Sequence, residues 1–499
     1  MRYYMNFITV LFLIFCVQLM AQKESDLALD YQVNKLDMKS EFREIKVNPK
    51  DFNPLYANVG RLENLNIIVK NHMSLWVKMV KENTPTSVEW EVIIPSSASY
   101  HFTAGTDAVG TEYTLKCNGK VVSTIVGKEK GFEIMDFGDV PLKKGRCTIR
   151  LEMNKASLDQ RFSHITLTET KYHEAALKRA FKEKQQPEWF KNAGYGLMFQ
   201  WTNRATPLTG PIKEWEQKVN DFKLDAFLEL VDASGAKYVL WSVTWGNQYI
   251  SAPIKSLDKL IAGRTTKRDL LGEMADALHQ RGVKLIFYYH YGYDCGHSID
   301  ADWMKACGGY RTDKTFLFDN WMKIVSEIGD RYGDKLHGWW FDGGERYHNC
   351  HFDGSPADQG ILTAPFEKMT QAARAGNPER MVSYNSFFKP RLTDFQDYYG
   401  GEGARSFNPS DLKNGVFHSG RKTGLQAHGC FTFDGRWGRF GNNNKVIPEP
   451  KFSLEVLEKI VIGARKNKAP ISMDLEMYED GTVSPQSLSL LKELNSKVN

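Results

Sequence analysis

The chain has no large excess of either charge. Of its 499 residues, 65 are Lys or Arg and 60 are Asp or Glu, a net charge of +5. That balance argues against nucleic acid as a partner, which calls for Lys and Arg clustered on one face. After Met20 no run is long and apolar enough to span a bilayer, which takes about 20 residues. No G-x-S-x-G elbow is present, so serine-type hydrolysis has no support. The turn Gln200-Trp201-Thr202-Asn203 lacks a glycine-rich phosphate fingerprint, which argues against a nucleotide fold. Cysteines number seven, with no C-x-x-C and no regular spacing. Neither a structural zinc site nor a disulfide framework follows. Setting aside Cys16 leaves Cys117, Cys147, Cys295, Cys307, Cys350 and Cys430. Cys117 with Cys147, on neighbouring expected strands, is the one pairing the order suggests.

What is present is ordinary globular composition, 42% apolar and 25% charged, with an aromatic share of 12% that includes 12 Trp. Indole faces stack on sugar rings, although a large core also uses them. Arg2, the apolar run Phe7 to Met20, then Ala21 before Gln22-Lys23-Glu24-Ser25, reads as a secretory signal peptide at 1–21. The expected location is therefore secreted or periplasmic. From about Trp90 to Glu169 short runs alternate with period two, as in Val88-Glu89-Trp90-Glu91-Val92 and Cys147-Thr148-Ile149-Arg150-Leu151. Asn118-Gly119 and Lys143-Lys144-Gly145 separate them. This pattern predicts an antiparallel β-sandwich over 22–170, either a spacer or a jelly-roll that binds carbohydrate. A charged linker helix is expected over 171–186.

Beyond Pro187 the rhythm becomes strand then helix. Strands are expected near Tyr195–Gln200, Lys237–Val243, Val283–Tyr289, Gly338–Phe341, Met381–Tyr384, Phe395–Tyr399, Gly429–Phe433 and Ala469–Met473. Helices fall at Val219–Ala233, Arg268–Arg281, Lys314–Tyr332 and Phe452–Lys466. Eight short apolar strands alternating with helices predict a (β/α)8 TIM-type barrel over 187–499. The fold class is thus multidomain, α/β plus all-β, with an open doubly wound sheet as the rival for the second part.

In such a barrel the site lies at the C-terminal strand ends. Those ends carry Gln200 and Trp201, Trp245 and Asn247, His290 and Tyr291, Trp340, Asp342 and Glu345, Asn385, Glu402, His428 and Trp437. Aromatic walls and amides make a sugar pocket. Asp342 follows Trp339-Trp340-Phe341 and precedes Gly343-Gly344. It is placed as a nucleophile on an anomeric carbon, or else closes an Asp-Gly turn. Glu402, between glycines, is the best second carboxyl, with Glu345 and Asp397 as rivals. The run His348-Asn349-Cys350-His351-Phe352-Asp353 is too crowded for zinc-ligand spacing, so no metal is assigned. No cofactor is implied.

The second part resembles the α-L-fucosidases of glycoside hydrolase family 29, from about Pro187 to Leu491. "PEWFKNAGYGLMFQW" is similar to the family opening W-F-x-x-A-K-F-G-I-F-I-H-W-G. "LDAFLELVDASGAKYVLWSVTW", "KRDLLGEMADALHQRGVKLIFYYHY", "GWWFDGG", "GCFTFDGRWGRF" and "VIGARKNKAPISMDLEMYEDGTVSP" match further family segments in the same order. The resemblance implies a retaining exo-α-glycosidase with Asp342 as nucleophile. It favours Glu402, in Asp397-Tyr398-Tyr399-Gly400-Gly401-Glu402, as acid/base. It departs where the family grips fucose with imidazoles: Gln200 replaces the first-strand His, the His pair after strand two has become Trp245-Gly246-Asn247, and Leu425-Gln426 stands for the W-E before strand seven. Gln200, Trp201, Trp245, Asn247, His290, Tyr291, Trp340, Glu345, Asn385, His428 and Trp437 are the candidate substrate-binding set. The expected partner is an oligosaccharide or polysaccharide carrying fucose or a modified or related sugar. The alternative is a non-catalytic glycan-binding protein on the same barrel.

Overall fold

The computed structural model describes residues 42, 44–50, 53–70, 74–79, 84, 86–107, 110–128, 132–154, 161–290, 300–308, 315–343, 364–385, 391–441 and 444–499. The signal peptide expected at 1–21 lies outside them. So do Tyr291, Glu345 and the His348–Asp353 cluster.

Short strands fill the first part: β1 (Glu44–Lys46), β2 (Asn53–Tyr56), β3 (Arg61–Glu63), β4 (Leu65–Lys70), β5 (Ser74–Met79), β6 (Thr86–Ile94), β7 (Ala98–Asp107), β8 (Glu112–Cys117), β9 (Lys120–Val126), β10 (Phe132–Leu142), β11 (Gly145–Asn154) and β12 (Arg161–Glu169). They form two sheets. One runs β1-β6-β11-β8-β9 with β3 beside β6; the other runs β10-β7-β12-β5-β4 with β2 beside β12. Period two in the sequence becomes period two in burial. Val88, Trp90, Val92 and Ile94 on β6, and Ile149, Leu151 and Met153 on β11, enter one core with Tyr100, Phe102, Ile165 and Leu167 of the second sheet. Asn118 and Gly119, both with positive φ, turn β8 into β9. Cys117 and Cys147 are free. The hydrogen bond from Cys147, more than burial, pushes the Cys117 thiol up, so the suggested pair meets as thiols.

A helix, Thr170–Glu183, follows, where 171–186 was expected. Its end is pinned to the second part. Lys184 Nζ donates to the carbonyls of Asp394 (2.9 Å) and Gln396 (2.6 Å), and Gln186 Nε2 donates to that of Gly424 (2.8 Å).

The second part carries β13 (Tyr195–Phe199), β14 (Tyr238–Thr244), β15 (Lys284–His290), β16 (Leu336–Asp342), β17 (Met381–Tyr384), a small hairpin of β18 (Leu412–Lys413) and β19 (Val416–Phe417), then β20 (Gly429–Thr432) and β21 (Ile471–Asp474). Seven of them make one curled parallel sheet in the order β17-β16-β15-β14-β13-β21-β20. β14 and β17 are buried at every position, as strands covered on both faces must be. The expected strand Phe395–Tyr399 is not a ladder strand. Its backbone instead joins edge strand β17 to the segment before β20: the Asp397 N–H donates to Val382 O (2.8 Å) and the Gln426 N–H donates to Asp397 O (3.0 Å). The expected helix Val219–Ala233 is two helices, Trp215–Asn220 and Leu224–Ser234. Phe222, between them, packs edge-on against Trp201 and Trp241, and that insertion breaks the run. Asp269 caps helix Leu270–Gln280 through the Gly272 N–H (2.8 Å).

Candidate active site

Side chains along a strand alternate between faces. On the parallel sheet Leu197, Phe199, Val239, Trp241, Phe287, Tyr289, Trp339, Phe341, Ile471 and Met473 belong to the core shared with the helices. Met198, Tyr238, Leu240, Ile286, Tyr288, Trp340, Met381 and Cys430 fill the inner face. One more step toward the C-terminal ends puts Gln200, His290, Asp342 and Asn385 on that inner side, above the apolar layer, and Asp474 lies on the same side in register with Met198. His290 stands beside Asp342 in the register of β15 and β16.

Among the described residues, two donors hold Asp342. The Tyr288 hydroxyl donates to Oδ2 at 2.6 Å, and Asn385 Nδ2 donates to Oδ1 at 3.1 Å. The Tyr288 ring stacks on Trp340 (5.2 Å between centroids, 23° between planes), which aims the hydroxyl. Asn385 is buried, and its backbone N–H is fixed by Phe341 O at 2.7 Å. The same Nδ2 donates to Glu402 Oε2 at 2.8 Å. One amide nitrogen thus joins two carboxyl groups. The two oxygens it touches lie no further apart than those bonds laid end to end, about 5.9 Å.

The segment carrying Glu402 is fixed from several sides. The Gly403 N–H donates to Cys430 O (2.8 Å) and the Cys430 N–H donates to Gly401 O (2.9 Å). Gly400 O accepts from Trp340 Nε1 (2.9 Å) and from His428 Nδ1 (3.0 Å). Gly401 has φ +74°, and a Cβ there would meet His428 O at 2.0 Å, so glycine is required. The Cys430 thiol is pushed far up, first by burial and then by the charges of Glu402, Asp474 and Asp342. All three carboxyl groups are therefore within electrostatic reach of one buried sulfur.

Residues 162–372 match the α-L-fucosidase family model. That stretch is an α-L-fucosidase family domain. It spans β12 to β16, contains Tyr288 and Asp342, and ends before Asn385, Glu402 and Asp474. No curated protein matches the chain. Among solved structures, unliganded α-L-fucosidase AlfC from Lactobacillus casei is 16% identical, over 62% of this chain and 96% of that one, with a TM-score of 0.44. α-L-Fucosidase isoenzyme 1 from Paenibacillus thiaminolyticus is 17% identical over 64% and 75%, TM-score 0.44. The endo-fucoidan hydrolase P5AFcnA of glycoside hydrolase family 107 is 12% identical over 63% and 94%, TM-score 0.48.

Within and beyond the fucosidase-family domain, the other sequence candidates divide. Gln200 is buried on the inner face, and its Oε1 has no hydrogen-bond partner among the described residues. Trp245 and Trp437 are half-buried and pack against the inner cluster. Trp245 also stacks on Phe440 at 4.7 Å. Asn247 is half-buried, with Oδ1 unpartnered among the described residues. The His290 carbonyl is held by Gln248 Nε2 (2.7 Å) and the Thr244 hydroxyl (2.5 Å).

Two candidates are corrected. Trp201 faces outward, one step past inward Gln200, and lies in a ring cluster with Trp215, Phe222 and Trp241; its indole N–H donates to Glu479 O. It is core, not a pocket wall. His428 is wholly buried with both nitrogens engaged: Nδ1 donates to Gly400 O, and Nε2 accepts from Ser472 Oγ (2.9 Å). Burial lowers it to about 4. It positions the Gly400-Gly401 turn and has no nitrogen left for a sugar. The rival acid Asp397 is also excluded. It is buried and ion-paired to Arg374 (2.8 Å), and it accepts from the Val382 and Gln185 N–H groups. Sequence reading passed over Tyr288 and Asp474, although the period-two face of "KLIFYYH" and "ISMD" carries both.

Proposed function

We propose that this protein is a retaining exo-α-glycosidase of fucosidase type, removing L-fucose or a modified or related sugar from a complex glycan. The fucosidase-family domain supports a glycoside hydrolase acting on fucose. The observation that carries the reading is the Asn385 amide bridging Asp342 and Glu402, with the bridged oxygens within about 5.9 Å. Retaining enzymes set their carboxyl groups about 5–5.5 Å apart, and inverting enzymes about 6.5–9.5 Å. The bridged pair supports the shorter geometry.

The chemistry follows from donor and acceptor roles. Both Asp342 oxygens accept hydrogen bonds, which suits an ionised nucleophile held in one orientation. One oxygen attacks the anomeric carbon and forms a glycosyl ester. Glu402 Oε2 accepts from Asn385, so a proton on this group sits at Oε1. That proton goes to the leaving oxygen as the glycosidic bond breaks. Glu402 then takes a proton from water as the water opens the ester. In this proposal the signal peptide at 1–21 directs the chain to a secreted or periplasmic location. Residues 22–170 form a β-sandwich that carries or binds glycan, and 187–499 form a (β/α)8 catalytic barrel. The bridging segment 397–403 supports closure of that barrel, since it hydrogen-bonds both edges of the parallel sheet.

The test is turnover of 4-nitrophenyl α-L-fucopyranoside by the full chain, with product stereochemistry read by proton NMR. Retention is expected. Asp342→Ala is expected to abolish turnover, and azide is expected to restore part of the Glu402→Ala rate. Inversion, or unchanged turnover in Asp342→Ala, rejects the assignment. Affinity for glycans with no hydrolysis across a broad sugar panel would replace it with the non-catalytic binding reading.

A further inference from the structure

Asp474 ends β21, next to β13 and β20, level with Met198 and Thr432. Ile471, Met473 and Leu475 pack outward with the helices, while Ser472 faces inward onto Tyr238 and His428. Asp474 therefore projects inward, one layer above Ser472. It is wholly buried, and among the described residues no side chain hydrogen-bonds either carboxyl oxygen; the Gly438 N–H is the one backbone donor that acts on it.

Its neighbours differ. Asp434 accepts from the Gly435 and Glu476 N–H groups and from the Ser487 hydroxyl. Glu476 accepts from the Arg436 N–H and from Arg439. Asp397 is paired to Arg374. Buried carboxyl groups short of partners are strongly disfavoured, so one with no side-chain partner beside fully paired ones points to use by a ligand. Gln200 Oε1, on the adjoining strand, is a buried acceptor without a partner among the described residues.

We infer that Asp474 receives a free hydroxyl of the sugar ring held against Asp342, with Gln200 as its neighbour acceptor, so that the site selects a neutral ring bearing a hydroxyl at that position. The inference rests on the glycosidase reading above and extends it to specificity. Three observations support it. The face that carries Asp474 also carries Asp342 and Asn385. The unmet atoms are the carboxyl oxygens of Asp474 and Gln200 Oε1; a hydroxyl both donates and accepts, so it meets the amide oxygen and meets the carboxyl in either protonation state. The surroundings add negative groups, since Asp434 and Glu476 raise Asp474 after burial does, while the Gly438 N–H and Lys451 oppose them. An anionic substituent adds charge to these acidic surroundings, and an O-methyl group adds bulk against a wholly buried carboxyl, so both are rejected.

The experiment compares wild type with Asp474→Asn and Asp474→Leu, each as the full chain, by three readouts. These are kcat/KM on 4-nitrophenyl α-L-fucopyranoside and its monodeoxy and mono-O-methyl analogues, tryptophan-fluorescence titration with free L-fucose, and melting temperature. Asp474→Asn is expected to lower kcat/KM on the parent sugar by about 10–100-fold. The gap to wild type is expected to close on the one analogue that lacks the hydroxyl Asp474 receives. Both variants are expected to melt a few degrees higher, because a buried carboxyl with no side-chain partner has been removed. A purely structural Asp474 would melt lower on substitution. A uniform drop across all analogues, or unchanged kcat/KM and unchanged fucose affinity, overturns the inference. If the wild type hydrolyses none of the glycosides, the glycosidase reading fails by itself. The fucose titration then decides Asp474: tenfold or greater weakening in Asp474→Asn supports it, and equal or absent binding overturns it.

Discussion

Asn385 is the residue on which the two carboxyl groups depend together. Its Nδ2 donates to Asp342 at 3.1 Å and to Glu402 at 2.8 Å. A hydrogen bond to a charged acceptor contributes about 1.5–3 kcal/mol. Two bonds from one nitrogen are not additive, so about 3 kcal/mol is a fair value for losing both. At roughly 1.4 kcal/mol per factor of ten, Asn385→Ala is expected to reduce kcat by about 10²-fold. KM should change little, since the amide orients the reacting groups. The backbone bond from the Asn385 N–H to Phe341 O does not involve the side chain and survives in the variant. Asn385→Asp keeps the shape and reverses the chemistry. It sets a third carboxylate about 3 Å from two others, where each repulsion is about 5 kcal/mol at an effective dielectric of about 20. Its loss at neutral pH should exceed that of Asn385→Ala, and part of it should return in acid, where protonation restores a donor. The assay is initial rates on 4-nitrophenyl α-L-fucopyranoside from pH 4.5 to 8, with melting curves to confirm folding. An Asn385→Ala kcat within threefold of wild type would refute the bridging role.

Much of the parallel sheet was legible because its strands are buried on both faces and read as short apolar runs. Met381–Tyr384 is identical in sequence and structure, and Tyr195–Gln200 differs by one residue from β13. Phe395–Tyr399 failed as a strand because Asp397 interrupts it. A buried carboxylate needs partners, and Arg374, Val382 and Gln185 supply them from outside any ladder. Glycine and carboxylate coincide in the sequence at Asp342-Gly343 and Gly400-Gly401-Glu402, and the structure joins these two carboxyl groups through Asn385. The site was misread where being near a strand end was taken to mean pointing into the pocket. The period of two separates Gln200 from Trp201, so an inward amide dictates an outward indole. Carried along "ISMD", the same rule sends Ser472 and Asp474 inward with Asp342. His428 was misread for another reason. An imidazole near the site is equally suited to holding a turn, and only the neighbouring carbonyls and Ser472 decide between these uses.

Two further tests address the positioning groups. Tyr288→Phe removes the 2.6 Å hydrogen bond to Asp342 Oδ2 and keeps the ring on Trp340, so kcat is expected to fall about 10–100-fold with little change in melting temperature. Equal rates would mean that Asn385 alone orients the nucleophile. His428 makes an acid-stability prediction. Burial lowers it from 6.5 to about 4, in a neutral form donating through Nδ1 to Gly400 O and accepting at Nε2 from Ser472. Above pH 6.5 the imidazole is neutral in the folded and the unfolded chain, and its contribution is fully present. As pH falls below 6.5 the unfolded chain binds a proton that the folded chain refuses, so stability is lost toward the folded value near 4. The loss is about 2 kcal/mol by pH 5 and about 3 kcal/mol below pH 4. His337, also lowered to about 4 by burial, acts in the same direction and remains in the variant. Urea midpoints for wild type and His428→Gln at pH 7.5 and 5.0 isolate the one group. The variant is expected to be weaker at pH 7.5, having lost a buried bridge, but to lose about 2 kcal/mol less on acidification. Parallel losses in the two proteins would mean that His428 is not kept neutral by its surroundings, and the turn that presents Glu402 would need another anchor.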